Sequence, residues 1–155
     1  MKSNVVLLAP VPEVHLQSGL LTCRENGKVA FASNDFQLFR KLDALSGDAE
    51  VDVYIYPSGC DLPGLPKVRW SGRYIGHVDS IFGRHPGGLK YRPASTLQSQ
   101  SDNSGYWALF WEVADLRLMN KEEILPMSSF IGYEAKKPYV STFIPHGPLI
   151  VYQAS

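Results

Sequence analysis

The sequence lacks most of the features that mark specialised folds. Its two cysteines, Cys23 and Cys60, are too few for a disulfide framework and too isolated for a zinc site. It has no surplus of charge either. Fifteen Lys and Arg balance fifteen Asp and Glu, which argues against non-specific nucleic-acid binding driven by bulk charge. The apolar run near the start, Val5 to Leu8, is too short for the core of a signal sequence, and no window approaches a membrane span. The expectation is a cytoplasmic chain with reduced thiols and no membrane partner.

Catalytic signatures are also missing. There is no Gly-x-Ser-x-Gly elbow, no His-Glu-x-x-His and no Cys-x-x-Cys. His15, His77, His85 and His146 stand far apart, so spacing makes no metal site of them. No catalytic residue, metal or cofactor is therefore assigned.

What the chain does have is short apolar segments punctuated by Gly, Pro and Asn-Gly. Its 155 residues, 45% of them hydrophobic, suffice for one core, so a single domain spanning 1–155 is expected. Val5 to Ala9 reads as a buried strand. Leu20 to Arg24 and Lys28 to Ala32 flank Glu25-Asn26-Gly27, the pattern of a hairpin. Phe36, Phe39, Leu42 and Leu45 recur at spacing three and predict one main helix over about 34–46, with Ser33 or Asn34 as its cap and Gly47 as its stop. Val51, Val53 and Ile55 alternate with polar neighbours as in a strand. Further strands are expected over 67–81, 106–113, 129–133, 139–143 and 149–152, with one helical turn at 121–125. This pattern predicts an α+β fold, mostly β, with a curved sheet or small barrel against which the helix packs.

The neutrality is achieved by compensation. Residues 67–92 carry six basic side chains against Asp79 alone. Aromatic rings interleave with these cations, and the loop GRHPGGLKYRP (83–93) adds glycines whose bare N–H groups suit an anion. Cations neutralise phosphates and flat rings stack on bases. The candidate ligand-binding residues are Arg69, Trp70, Arg73, Tyr74, Arg84, His85, Lys90, Tyr91, Arg92 and Trp107. A plainer reading also fits: strict alternation over 68–78 turns Val68, Trp70, Gly72, Tyr74, Gly76 and Val78 to a buried face. The opposite face is then Arg69, Ser71, Arg73, Ile75, His77 and Asp79. Glu112, in the most apolar strand, is either a strand-end residue or a partner for Arg92.

The order VRWSGRYIGHVDS, then YRPAST, then SDNSG leading into WALFWEV resembles the PUA-like β-barrels, the group that includes ASCH and EVE domains, over residues 66–115. That resemblance implies a barrel pocket with an aromatic wall (Trp70, Tyr74, Tyr91, Trp107) that binds RNA or a modified base, with Arg84 and Arg92 outside for phosphates. The leading functional expectation is thus a non-catalytic module for nucleic acid or a nucleotide-like anionic ligand. Two alternatives stand beside it: a protein-interaction or inhibitor module with a protein partner, and a small nucleic-acid-processing enzyme using His77 or His85 as general base.

Overall fold

A computed structural model describes residues 1–60, 62–98, 103 and 105–154. Strand β1 (Val6–Pro12) leads into helix α1 (Glu13–Asn26), then strand β2 (Val29–Ser33), helix α2 (Phe36–Ser46) and strand β3 (Val51–Ser58). Strands β4 (Lys67–Val68), β5 (Trp70–Asp79), β6 (Leu109–Leu118), β7 (Leu125–Pro126), β8 (Phe130–Gly132) and β9 (Leu149–Gln153) follow. Short 3-10 turns lie at Ala94–Gln98, Lys121–Glu123 and Met127–Ser129.

Seven strands form one mixed sheet in the order β2-β6-β5-β3-β1-β9-β8, and β4 pairs separately with β7. Only β1 and β3 run parallel among the ladders of the large sheet. The fold is α+β and mostly β, as the punctuation implied. The sheet is not closed into a barrel: β2 and β8 are its edges.

Burial follows strand alternation. Leu7, Ala9 and Val11 of β1 join Val53, Ile55, Trp70, Trp111 and the helix residues Leu16, Phe39 and Leu42 in the core on the helix side. Val6 and Leu8 of β1 face the other side, with Val68, Met127, Phe130 and Val151. Strand β1 is therefore buried on both faces, which is why it reads as an unbroken apolar run.

Helix α2 starts where its pattern begins. Asp35 is the N-cap, its carboxylate accepting from the Leu38 N–H at 3.3 Å, while the flanking Ser33 and Asn34 accept from Asp35 N and Ala108 N. The hairpin expected around Asn26-Gly27 is instead the end of α1. Gly27 adopts φ +85° and its N–H returns to the Cys23 carbonyl at 2.8 Å, a left-handed helix stop. The buried stripe of α1 is Leu16, Gly19, Thr22 and Cys23, too small and too polar to print a helical period. Gly19 lets the helix approach β2, where its Cα faces Val29 and Phe31. Tyr139 to Phe143 forms a turn rather than a strand, with the two terminal rings stacked at 4.3 Å.

Strand β5 breaks strict alternation. Its register against β6 shifts between Ser71 and Arg73 and again between Tyr74 and Gly76. Gly76 takes φ +120°, and after this bulge His77 returns to the side of Tyr74 instead of opposing it. A Cβ added at Gly72 would lie 2.5 Å from Val113 Cγ1 and 3.2 Å from the Ala114 carbonyl oxygen. Gly72→Ala should accordingly lower unfolding free energy by about 1–3 kcal/mol through overpacking, measured by urea denaturation. An unchanged midpoint would mean the sheet is looser here than described.

Candidate functional site

The ten candidate residues do not converge on one spot. Trp70 and Tyr74 lie in the helix-side core. The Trp70 indole donates to Glu13 Oε2 at 3.1 Å, and the Tyr74 hydroxyl donates to Asp43 Oδ1 at 2.7 Å. Burial and then that hydrogen bond push the Tyr74 phenol well above its ordinary pKa. His77 Nδ1 sits 2.8 Å from Asp43 Oδ2, so Tyr74 and His77 together tie β5 to α2. Arg69 borders a recess beside Cys60 and Ile144. Arg73 faces the opposite side of the sheet, 3.4 Å from Asp115.

That opposite face carries an open groove of about 610 Å3 in which Lys2 pairs with Asp52, Arg73 with Asp115 and Arg117 with Glu123. The Arg117 pair is bidentate, at 2.9 and 2.7 Å. It and the Asn120 N–H hold the Glu123 carboxyl down to about 2. Because that value lies below the unfolded one, the stabilisation is present above the ordinary carboxylate range and is lost as pH falls toward 2. Arg117→Ala should raise the Glu123 pKa toward the ordinary value in an NMR titration; a pKa that stays low would assign the effect to the Asn120 N–H alone.

The loop 83–93 is fastened inward. His85 is buried; its Nδ1 accepts the Gly87 N–H at 2.8 Å, which leaves the proton on Nε2 to donate to Glu112 Oε2 at 3.2 Å. Glu112 is also buried and takes Lys28 as its second partner at 3.0 Å, so its partners are His85 and Lys28 rather than Arg92. Tyr91 lies under Lys28 Nζ at 4.5 Å and Lys90 Nζ at 5.3 Å. Arg84 and Lys90 are exposed on the loop. The glycines of this loop thus serve turns that seat His85, and they form no anion cradle of the nucleotide-hydrolase type.

Two of the ten candidates do meet, at a cavity of about 160 Å3 beside the C-terminal half of β1. Arg92 and Trp107 line it, joined by Phe31, Trp111, His15 and Thr96. The elements explain the placement. Phe31 and Trp111 are cross-strand partners on β2 and β6, with rings 5.0 Å apart. Trp107 precedes β6 and packs edge-on against Tyr106. His15 stands in the first turn of α1, and its Nδ1 lies 2.7 Å from Ser95 Oγ, itself 2.7 Å from Ser18 Oγ; these contacts pin the 3-10 turn to the helix. Arg92 is 4% exposed. Its Nη1 donates to the Ala30 carbonyl at 2.7 Å, its Nε to Asn103 Oδ1 at 3.0 Å, and its guanidinium covers the Phe110 ring at 5.0 Å. Asn103 in turn donates to Thr96 Oγ1 at 3.1 Å.

One group in this wall is unsatisfied. The Trp107 Nε1–H is buried and has no hydrogen-bond partner among the described residues. Such an orphan donor costs about 1–3 kcal/mol unless something accepts from it. The chamber therefore combines three aromatic rings, a fixed positive charge and hydroxyl and imidazole groups, while Trp107 Nε1 itself is sealed from solvent. Among the described residues no cluster of His, Cys, Asp or Glu could hold a metal ion, and no helix is long and apolar enough to cross a membrane.

Sequence reasoning missed His15, Phe31, Thr96 and Trp111 as members of this site. Of these, only Trp111 lies on β6, the strand that Trp107 leads into. The other residues come from β2, α1 and the 3-10 turn, whose convergence depends on a helix that sequence patterning does not reveal.

No family model matches the chain, and neither a curated protein nor a solved structure is significantly similar to it.

The Glu112 cluster yields its own test. Glu112→Ala strands Lys28 and His85 without their carboxylate. The cost should be on the order of 2–3 kcal/mol, below that of a fully buried pair because the Lys28 side chain is 29% exposed. Denaturation of Glu112→Ala beside Glu112→Gln, which keeps one acceptor for His85, should rank Ala as the less stable; equal stability would remove the cluster's structural role.

Proposed function

We propose that this protein is a non-catalytic binding module that holds a single nucleobase of RNA or DNA in the cavity behind Trp107. The observation that carries the reading is the aromatic chamber of about 160 Å3 walled by Phe31, Trp107 and Trp111 and backed by the buried Arg92. A cavity of roughly 150 Å3 accepts benzene, so this one is matched to one planar ring. A base supplies what the walls lack: a flat π face for Trp107, Trp111 or Phe31. Thr96 and His15 offer hydroxyl and imidazole groups to its edge. Outside, Arg84 and Lys90 belong to the one strongly cationic stretch of the chain and supply charge for the phosphates of the strand.

The resemblance of residues 66–115 to PUA-like domains supports the same ligand class. On this reading the open sheet presents, at one end of β1 and β2, the base-holding pocket that those domains place in a barrel. The division of labour differs from the one first expected. Trp70 and Tyr74 build the frame, while Arg92 positions the cavity wall.

Titration of labelled single-stranded RNA and DNA at two ionic strengths tests the proposal. Saturable binding at low salt should weaken steeply as salt rises. Trp107→Ala should lower affinity by about 1–3 kcal/mol through lost stacking. Trp107→Phe, which keeps a ring for stacking, should retain most of the affinity. Absence of binding to any oligonucleotide at low salt would defeat the reading.

A further inference from the structure

The segment between β3 and β4 is dense in proline and glycine, and its turns place Gly59 and Gly64 at φ +70° and +89°. Together with the end of β3 and Ile144 from a later loop, it borders a recess of about 280 Å3. The wall is largely apolar, built from Tyr56, Pro57, Leu62, Leu65 and Ile144. Leu62, Leu65 and Ile144 are 46%, 49% and 48% exposed. Three large apolar side chains are thus left uncovered around one hollow. The recess shares no residue with the Trp107 cavity.

Two cations stand in the same wall: Lys67 of β4 and Arg69, the residue between β4 and β5. Among the described residues neither has an ion pair, and no acidic side chain lines the recess. The contrast is with the groove on the sheet face, where Lys2, Arg73 and Arg117 each have a carboxylate. Arg69 is nevertheless fixed in place. Its N–H donates to the Ile55 carbonyl at 3.2 Å, and its own carbonyl accepts the Met119 N–H at 2.8 Å. The backbone is held on both sides while the half-buried guanidinium has no anion to meet.

We propose that this recess is a second binding site, one that takes a small amphipathic carboxylate. The apolar body of the ligand covers Leu62, Leu65 and Ile144, and its carboxylate meets Arg69 and Lys67. A cavity of roughly 150 Å3 holds benzene, so one of about 280 Å3 has room for a ring with a short alkyl arm. The planar guanidinium fork matches a carboxylate through two parallel hydrogen bonds, and Lys67 adds a point charge. A neutral apolar ligand would leave both cations unmet. An inorganic anion would leave the apolar wall uncovered. The site stands apart from the base-holding cavity and does not depend on it. Cys60, which also lines the recess, serves as a built-in reporter of its occupancy.

The test follows alkylation of Cys60 by iodoacetamide, a neutral reagent, in the intact protein. Cys23 is buried and should stay unlabelled, which reports that each variant is folded. Phenylbutyrate should slow Cys60 alkylation saturably. Its neutral amide, phenylbutyramide, should need about tenfold more for the same protection, and inorganic phosphate should give none. Arg69→Gln should erase the advantage of the carboxylate over the amide while leaving protection by the amide unchanged. Lys67→Gln, at an exposed position, should reduce that advantage and serves as the variant least able to disturb folding. Protection by the carboxylate and the amide at equal concentrations in wild type would overturn the proposal. So would protection by phosphate alone, or no protection by phenylbutyrate at millimolar concentration.

Discussion

A guanidinium buried away from water has to find acceptors, and Arg92 finds them in the chain segments that frame the cavity. Its bond to the Ala30 carbonyl fastens the loop to edge strand β2, and its bond to Asn103 reaches the segment before β6. The Ala30 N–H reinforces the same alignment by donating to the Tyr91 carbonyl at 2.7 Å. Few surface loops are anchored through a buried charge, since the cost of desolvating it is large unless geometry satisfies it. Here that anchoring defines where Trp107, Thr96 and Phe31 meet.

A second buried charge holds the other half of the loop. Glu112 sits in β6 opposite Ala30 and receives His85 and Lys28. Together the two polar clusters turn a glycine-rich basic stretch into a framework. The cationic character that drew attention to residues 83–93 is therefore split: Arg92 and His85 are structural, while Arg84 and Lys90 remain on the surface. Side chains that build the wall and side chains left in solvent are interleaved within ten residues.

The strands and the helix with strong periodicity were legible before any coordinates. Helix α2 prints Phe36, Phe39, Leu42 and Leu45 at regular spacing, and β3 alternates cleanly. Helix α1 was not legible, because its buried stripe contains Gly19 and Thr22 and its Asn-Gly end mimics a hairpin. That single omission hides the site, since His15 and the Ser18 anchor of the 3-10 turn lie on α1. The face of His77 was unreadable for a different reason: a bulge at Gly76 inverts alternation, and Gly alone does not announce where. Aromatic-plus-cationic composition drew in Arg92 and Trp107, which line the cavity. It also drew in Trp70 and Tyr74, whose rings serve the core, because composition does not distinguish a ring that packs from a ring that lines a hole.

The central claim is that the Trp107 ring lines a cavity that holds a bound base. The most direct measurement follows the indole N–H proton resonances of Trp70, Trp107 and Trp111 by NMR while single-stranded RNA is added. The account predicts a saturable shift of the Trp107 resonance with Trp70, already bonded to Glu13, left in place. Saturable binding during which the Trp107 resonance does not move would contradict it.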